Sequence, residues 1–301
     1  EQKTENNKQK IQVEFVSANP TGPLTMANGR GGFLGDVLAN VLERMGHEVS
    51  REYYVNDAGN QIKLLGESLL ATLGKLPTKE EYYRGDYIKK IAVKLKAKIL
   101  KIAASSEASL ASPGRDESEE IGRLAATELL KEIKTSLKKA GIKHDTWFHE
   151  NKELRETGEI KKFFDEFEKK GLFVEKDGAL WFGDAVVRKS SQRNEEPAYL
   201  GVDMKYHLDK FLKRKFDLVI DIWGADHHGN VDPLKKGMEA LGIDPEKLKI
   251  IITQLVRLIE GGKEVRMSKR GGEFITLNEL IKEVGRDAAR FFFLMHSPGN
   301  H

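Results

Sequence analysis

Val13-Glu14-Phe15-Val16-Ser17-Ala18-Asn19-Pro20-Thr21-Gly22-Pro23-Leu24, followed by Thr25-Met26-Ala27-Asn28-Gly29-Arg30-Gly31-Gly32, decides how the rest of the chain is read. Val13 to Val16 has the composition of a strand. Pro20, Gly22 and Pro23 end it, because proline fixes φ and has no amide proton to offer a neighbour. Gly29, Gly31 and Gly32 permit close backbone approach as a helix opens. Leu34, Val37, Leu38, Val41, Leu42 and Met45 then recur at helical spacing up to Gly46, which reads as a C-terminal cap. A second strand, His47 to Val55, ends in Asn56-Asp57-Ala58-Gly59-Asn60. Strand, helix and strand in succession form the unit of a parallel sheet, whose ligands sit at the carboxyl ends of strands. The same unit occurs in any α/β protein, so the glycine cluster alone leaves nucleotide binding open.

Composition narrows the class without choosing a partner. A chain of 301 residues with 39% hydrophobic content can bury a sizeable core. Charged residues make up 32% but the formal net charge is only +3, so any attraction to nucleic acid must come from local patches. There is no cysteine, hence no disulfide framework, thiol nucleophile or thiolate zinc site, which suits a reducing compartment. No apolar run reaches the roughly 20 residues of a membrane span and no signal peptide is visible, so a soluble, cytoplasmic protein with no membrane partner is expected; separately, a monomer is expected.

Taken in order, residues 1–10 lack apolar side chains and are expected to be a frayed lead-in, with the fold starting near Ile11. Residues 11–60 form the first half of the sheet domain, and 61–197 a mostly helical, lysine-rich insertion. Within the insertion, Ile88, Ile91, Ala92, Leu95, Ile99 and Ile102 make an apolar stripe, with lysines on the other faces that suit solvent or RNA phosphates. A loop is expected over 105–118, a helix over 119–140, and an extended link over 143–148. His144 and His149 read as surface residues and not as a metal site. A helix over 156–170 precedes a hairpin turned by Asp177-Gly178.

Residues 198–301 are the second half of the sheet domain, with terminal helices. Phe216-Asp217-Leu218-Val219-Ile220-Asp221-Ile222-Trp223 reads as a parallel strand buried on both faces. It runs into Gly224-Ala225-Asp226-His227-His228-Gly229, read as a nucleotide-contacting turn in preference to a metal site, since adjacent histidines on an open turn point apart. Val265-Arg266-Met267-Ser268-Lys269-Arg270, between glycine pairs, is a cationic loop suited to a departing pyrophosphate, or equally an exposed hairpin tip.

The opening stretch, Tyr53-Tyr54-Val55-Asn56-Asp57-Ala58-Gly59-Asn60-Gln61, Trp223 to Gly229, Val265 to Arg270 and Asp287-Ala288-Ala289-Arg290-Phe291-Phe292 together resemble the catalytic core of class I arginyl-tRNA synthetases of bacterial type. The resemblance implies an α/β fold, a Rossmann-type parallel sheet split by a connective insertion. It also implies ATP-dependent activation of arginine and its transfer to the terminal adenosine of tRNA(Arg), with Mg2+ accompanying ATP. Glu14, Asn19, Tyr199 and Asp203 are then expected at arginine, although Asp203 could simply be a helix N-cap. Gly29, Gly224, Asp226, His228 and Met267 are expected at ATP, and Lys269, with Ser268 and Arg266, at the leaving pyrophosphate. The family's first signature carries histidines where this chain has Thr25 and Asn28, and a glycine where it has Ala27, so Thr25 and Asn28 take the phosphate-contacting positions without an imidazolium's charge. The family's anticodon-binding and tRNA-elbow domains have no counterpart in this stretch. The implied protein is therefore a catalytic core, or alternatively a synthetase-like paralogue that binds nucleotide, arginine or RNA without full aminoacylation.

Overall fold

The computed structural model describes residues 8–108, 117–188, 197–254, 256, 258–260, 263–265 and 274–299. In chain order these form β1 (Lys10–Glu14), α1 (Met26–Arg44), β2 (Glu48–Val55), α2 (Asn60–Thr72), α3 (Asp86–Ala108), α4 (Glu117–Ala140) and β3 (Thr146–His149). Then come α5 (Glu159–Lys169), β4 (Val174–Lys176), β5 (Ala179–Phe182), β6 (Ala185–Arg188), α6 (Tyr199–Leu208), β7 (Leu218–Gly224), α7 (Val231–Ala240) and β8 (Leu248–Thr253). The hairpin β9 (Leu258–Glu260) and β10 (Lys263–Val265) precedes α8 (Leu277–Val284) and α9 (Arg286–Met295).

The main sheet has five parallel strands in the order β3-β2-β1-β7-β8. From β1 at its centre, the chain builds outward to one edge, then crosses over to lay β7 on the other side of β1. Such a reversal opens a crevice at the carboxyl ends of the two central strands, the usual ligand position in open α/β sheets. One face packs on α1, α4, α8 and α9 through Phe15, Phe33, Leu137 and Leu277, and the other on α5 to α7 through Phe164, Met204 and Leu234. A third core, built from Ile62, Leu69, Ile88, Ile99 and Leu129, holds α2, α3 and α4 together.

Several boundaries differ from the sequence reading, each for a local reason. β1 begins at Lys10, whose amide donates to Asp217 Oδ2 at 2.8 Å, so this end of the strand is tied down. It stops at Glu14 because Val16 and Ser17 turn into the left-handed region, with φ of 70° and 34°. The expected link over 143–148 instead contains the edge strand β3, in register with Glu52 to Val55, where Trp147 stacks on Tyr53 at 4.5 Å. α3 runs on to Ala108 and α4 starts at Glu117, both inside the span expected as a loop. His144 is packed and not a surface residue: its ring stacks on Phe15 at 4.4 Å, and burial holds its pKa down at about 4.

Glycine sets the helix spacing where helices cross. A Cβ on Gly66 would lie 1.7 Å from the Ser118 carbonyl oxygen, and one on Gly122 would lie 1.9 Å from that of Ile62, so α2 and α4 meet backbone to backbone. On α1, Gly29, Gly32 and Gly35 likewise face Leu277, Ile142 and Phe15. These glycines serve packing, in addition to any ligand approach inferred from sequence. Gly122→Ala is expected to force α2 from α4 and destabilise the protein by about 3 kcal/mol, the upper part of the overpacking range. Thermal unfolding followed by circular dichroism, against a Gly299→Ala control at an exposed position with nothing within 4 Å of the added Cβ, measures this; an equal effect of both substitutions would refute the packing role.

Candidate functional site

Parallel register sets three acids abreast at the crevice: Glu14 of β1 lies opposite Glu52 of β2 on one side and Asp221 of β7 on the other. All three are buried. Carboxylates about 5 Å apart on adjacent strands repel by about 3 kcal/mol per pair at an effective dielectric of about 20. The row exists because α6 and the π-helical turn Asp209–Lys213 after it deliver cations against it. Lys210, fully buried, donates to Glu14 Oε2 at 2.7 Å and to Asp221 Oδ1 at 2.9 Å. Arg214 pairs with Glu52, which also accepts from the Tyr206 hydroxyl. His207 lies 2.7 Å from the Asp203 carbonyl oxygen through Nδ1 and 2.7 Å from Asp221 Oδ2 through Nε2. Both partners are acceptors, a carbonyl oxygen on one side and a carboxylate on the other, so the ring links α6 to β7.

These contacts set the protonation of the row. Burial would lower the Lys210 amine pKa, but Asp221, Glu14 and Glu52 more than offset this and hold it above its ordinary value. For Asp221 burial acts upward, and Lys210 and His207 reverse it, leaving the carboxyl below the usual carboxylate range. Asp203, half-buried one turn into α6, differs from both. Burial, then the charges of Glu14, Glu150 and Asp221, push its pKa well above an ordinary aspartate's. Among the described residues no ion pair is made by Asp203, whereas Glu150 is held by Arg155 at 2.7 Å and by the Tyr54 hydroxyl at 2.8 Å. The crevice thus presents one uncompensated acid in a largely neutralised setting, suited to a cation.

The turn after β1 frames this acid. Ser17 donates to Glu14 Oε1 at 2.9 Å and accepts from the Tyr54 amide at 3.0 Å, while the Tyr53 hydroxyl donates to the Ala18 carbonyl at 2.6 Å. These bonds hold Val16 and Ser17 in their left-handed conformations, and strain of this kind is typical of functional turns. Asn19 follows, its amide donating at 3.3 Å to Gln61, which also accepts from the Tyr83 hydroxyl at 2.8 Å. Of the expected arginine-binding residues, Glu14 and Asp203 share one charge cluster, Asn19 sits on the adjoining turn, and Tyr199 stands exposed at the start of α6.

At the start of α1, Thr25 and Asn28 engage each other. Asn28 Oδ1 accepts from the Thr25 amide at 2.9 Å and from its hydroxyl at 3.0 Å, a reciprocal cap on the first turn of α1. The Met26 amide donates to the Ile275 carbonyl and the Leu277 amide to the Leu24 carbonyl, so the segment leading into α8 is stitched to this helix start. Arg30 ties the same helix to the Gln254 and Ser297 carbonyls. Gly224 ends β7; a Cβ there would lie 2.6 Å from Asp226 Oδ1. Asp226 and His228 are exposed on the 3-10 turn Ala225–Asn230. Arg266, Met267, Ser268 and Lys269 lie outside the described residues. Among the described residues no cluster of His, Cys, Asp or Glu is placed to hold a metal, and no helix is long and apolar enough to cross a membrane.

The sequence reading missed Lys210, Asp221, His207, Glu52 and Arg214. Asp203, His207, Lys210 and Arg214 recur at helical spacing as a polar stripe, and Asp221 interrupts an otherwise apolar buried strand. Those were the available signals.

Known proteins resemble the chain over most of its length. The family described as tRNA synthetases class I (R), catalytic domain, matches residues 1–293. The arginine–tRNA ligase of Carboxydothermus hydrogenoformans is 48% identical over 97% of this chain and 53% of its own length. That of Caldanaerobacter subterraneus is 47% identical over 96% of this chain and 52% of its own. The chain therefore spans about half the length of the curated relatives it matches. A Campylobacter jejuni protein assigned as an arginyl-tRNA synthetase has a crystal structure that matches with a TM-score of 0.79 and 32% identity, over 98% of this chain and 65% of that one. The Thermus thermophilus arginyl-tRNA synthetase matches with a TM-score of 0.66 over 96% of this chain and 57% of that one, and at 16% identity this is a likeness of fold. On its sequence and its fold, the chain belongs to the catalytic-domain family of class I arginyl-tRNA synthetases.

Proposed function

We propose that this chain activates arginine with ATP to arginyl-adenylate and passes the arginyl group to the 3′ adenosine of tRNA(Arg). The observation that carries this reading is the half-buried Asp203 beside Glu14 at the sheet's switch point, an acid without an ion pair among the described residues. A guanidinium fits such a site because its planar donors can meet a carboxylate bidentately. Asn19 and Tyr199 flank the amino-acid end. The arginine carboxylate attacks the α-phosphate in line and pyrophosphate leaves; a ribose hydroxyl of tRNA then attacks the adenylate carbonyl and AMP leaves. The protein's part is to position the reactants and supply positive charge. Lys269, with Ser268 and Arg266, takes the pyrophosphate. Gly29, Gly224, Asp226, His228 and Met267 take the nucleotide, and magnesium accompanying ATP would supply further positive charge. Within residues 61–197, the segments that lie off the main sheet serve as the connective insertion, facing the tRNA.

The mutual capping of Thr25 and Asn28 favours a second reading, a relative that binds arginine or nucleotide without completing activation. Arginine-dependent exchange of pyrophosphate into ATP, with and without tRNA, separates the two. The ligase reading expects exchange; binding of nucleotide without exchange, here and in any longer form of the protein, supports the binder. Lys269→Ala is expected to lower the exchange rate by roughly a hundredfold or more, the usual cost of one group aimed at developing charge. The KM for arginine should stay within about twofold, and a change in KM alone would remove Lys269 from this role.

The pH dependence follows from Asp203. Its pKa is raised in the free protein, and a bound guanidinium would lower it, so binding releases a proton in the interval between the two values. Arginine affinity is therefore expected to rise with pH above the ordinary aspartate range and level off above the raised value. Asp203→Asn should flatten this profile and weaken arginine by roughly 30-fold or more, as losing one partner of a buried charged pair costs about 2–5 kcal/mol. The sign for stability is opposite: a carboxyl whose folded pKa lies above its unfolded value opposes folding once ionised. The same variant should thus unfold at a higher temperature than the parent at pH 8 and show no such gain at pH 4. Calorimetric titration and thermal scans across pH test both; a parallel loss of binding and stability would assign Asp203 to the fold alone.

A further inference from the structure

We propose that Lys210 is a positioning residue, a built-in countercation to Glu14 and Asp221, so that among the described residues Asp203 is the acid without an ion pair that the pocket offers its ligand. The proposal rests on the arginine reading above and adds a determinant of selectivity to it.

The geometry assigns each charge a partner. Glu52 faces Arg214 and Tyr206, Asp221 faces His207 and Lys210, and Glu14 faces Lys210 and Ser17. Around the row, Asp209 is paired with Arg214 and Lys213, and Glu150 with Arg155. Lys210 bridges two strands at once, with its ammonium 4.2 Å from the centre of the Tyr206 ring, which leaves it no route to solvent. It is also the cation that links the row to Asp203, whose carboxyl it stabilises in the charged form against the opposing influence of Glu14, Glu150 and Asp221. Remove Lys210 and the row carries one negative charge too many in a medium that penalises it. A proton is then the nearest available replacement. The pocket would hold that proton when empty and surrender it when a cationic ligand arrives, whereas a neutral ligand could leave it in place.

A structural lysine would affect stability alone; a countercation also changes proton release and ligand choice. The test compares the parent with Lys210→Met, Lys210→Arg and the charge-balanced pair Lys210→Met with Asp221→Asn. L-arginine and its neutral isostere L-citrulline are titrated calorimetrically into each, in buffers of different ionisation enthalpy, after thermal unfolding has shown which variants are folded. Lys210→Met should release roughly one more proton per arginine bound than the parent, and its preference for arginine over citrulline should fall at least about tenfold, the size of a lost charge contact. Lys210→Arg should retain the parent's proton release. The balanced pair should return both readouts toward the parent, and it carries the test if Lys210→Met does not fold. Unchanged proton release and unchanged preference in folded Lys210→Met, or a balanced pair that departs further from the parent, would overturn the proposal while leaving the arginine reading intact. A folded parent that binds no arginine would overturn both.

Discussion

Three carboxylates set side by side across the centre of a buried sheet are the constraint on which the rest of this structure turns. Register alone puts Glu52, Glu14 and Asp221 abreast, and three like charges there are not tolerable without compensation. Compensation comes from one short element, α6 with its π-helical continuation, which supplies His207, Lys210 and Arg214. The position of α6 is therefore fixed by charge as much as by the apolar contacts of Met204 and Leu208. A π-helical turn at Asp209–Lys213 fits this demand, because the extra residue per turn shifts the stripe where Lys210 and Arg214 must reach two different strands.

Buried ion pairs are weak evidence of stability, since an apolar replacement of equal volume is often as good. Their retention here makes sense through Asp203. A carboxyl held half-buried without a cation is costly to ionise, which is why its pKa is raised. The strained turn at Val16 and Ser17 has the same character: left-handed backbone at a β-branched residue, kept in place by Ser17, Tyr53 and Tyr54 so that the chain leaves β1 in the direction of Asn19. Local cost and local function coincide at both places.

The strand-helix-strand unit was legible because its signals are contiguous: an apolar run, a proline-bounded turn and a stripe at helical spacing lie within a short stretch. Glu14 and Asp203 could be named from the resemblance, and the structure brings them into one cluster. What could not be read depends on pairings remote in sequence. Lys210 meets Glu14 across 196 positions, and nothing local marks it as more than a helix residue. The edge strand β3, four residues long, is too short to show alternation. His144 is polar by type yet lies between Phe15, Tyr53 and Trp147, and Gly66 and Gly122 acquire meaning only when their helices cross. Thr25 and Asn28 are a different case. Their three-residue spacing is that of a helix cap, and in the structure Asn28 accepts from the Thr25 amide and hydroxyl.

The two ends of the crevice are built on different physics. At the acid end the groups are buried, paired and oriented before any ligand arrives, so salt screens them little and they cost little to organise on binding. At the other end, Asp226 and His228 stand in solvent on a 3-10 turn, and the helix start of α1 is already occupied by its own cap and by the Ile275 carbonyl. Charge in that region is screened, and contacts gain strength only once water is displaced. On the proposed reading, discrimination between amino acids is set in advance by the sheet and α6. Stabilisation of a phosphate-bearing ligand must instead be assembled around it, and the stitching of Ile275 and Leu277 to Leu24 and Met26 gives one point at which that assembly is anchored to the same turn that leaves β1.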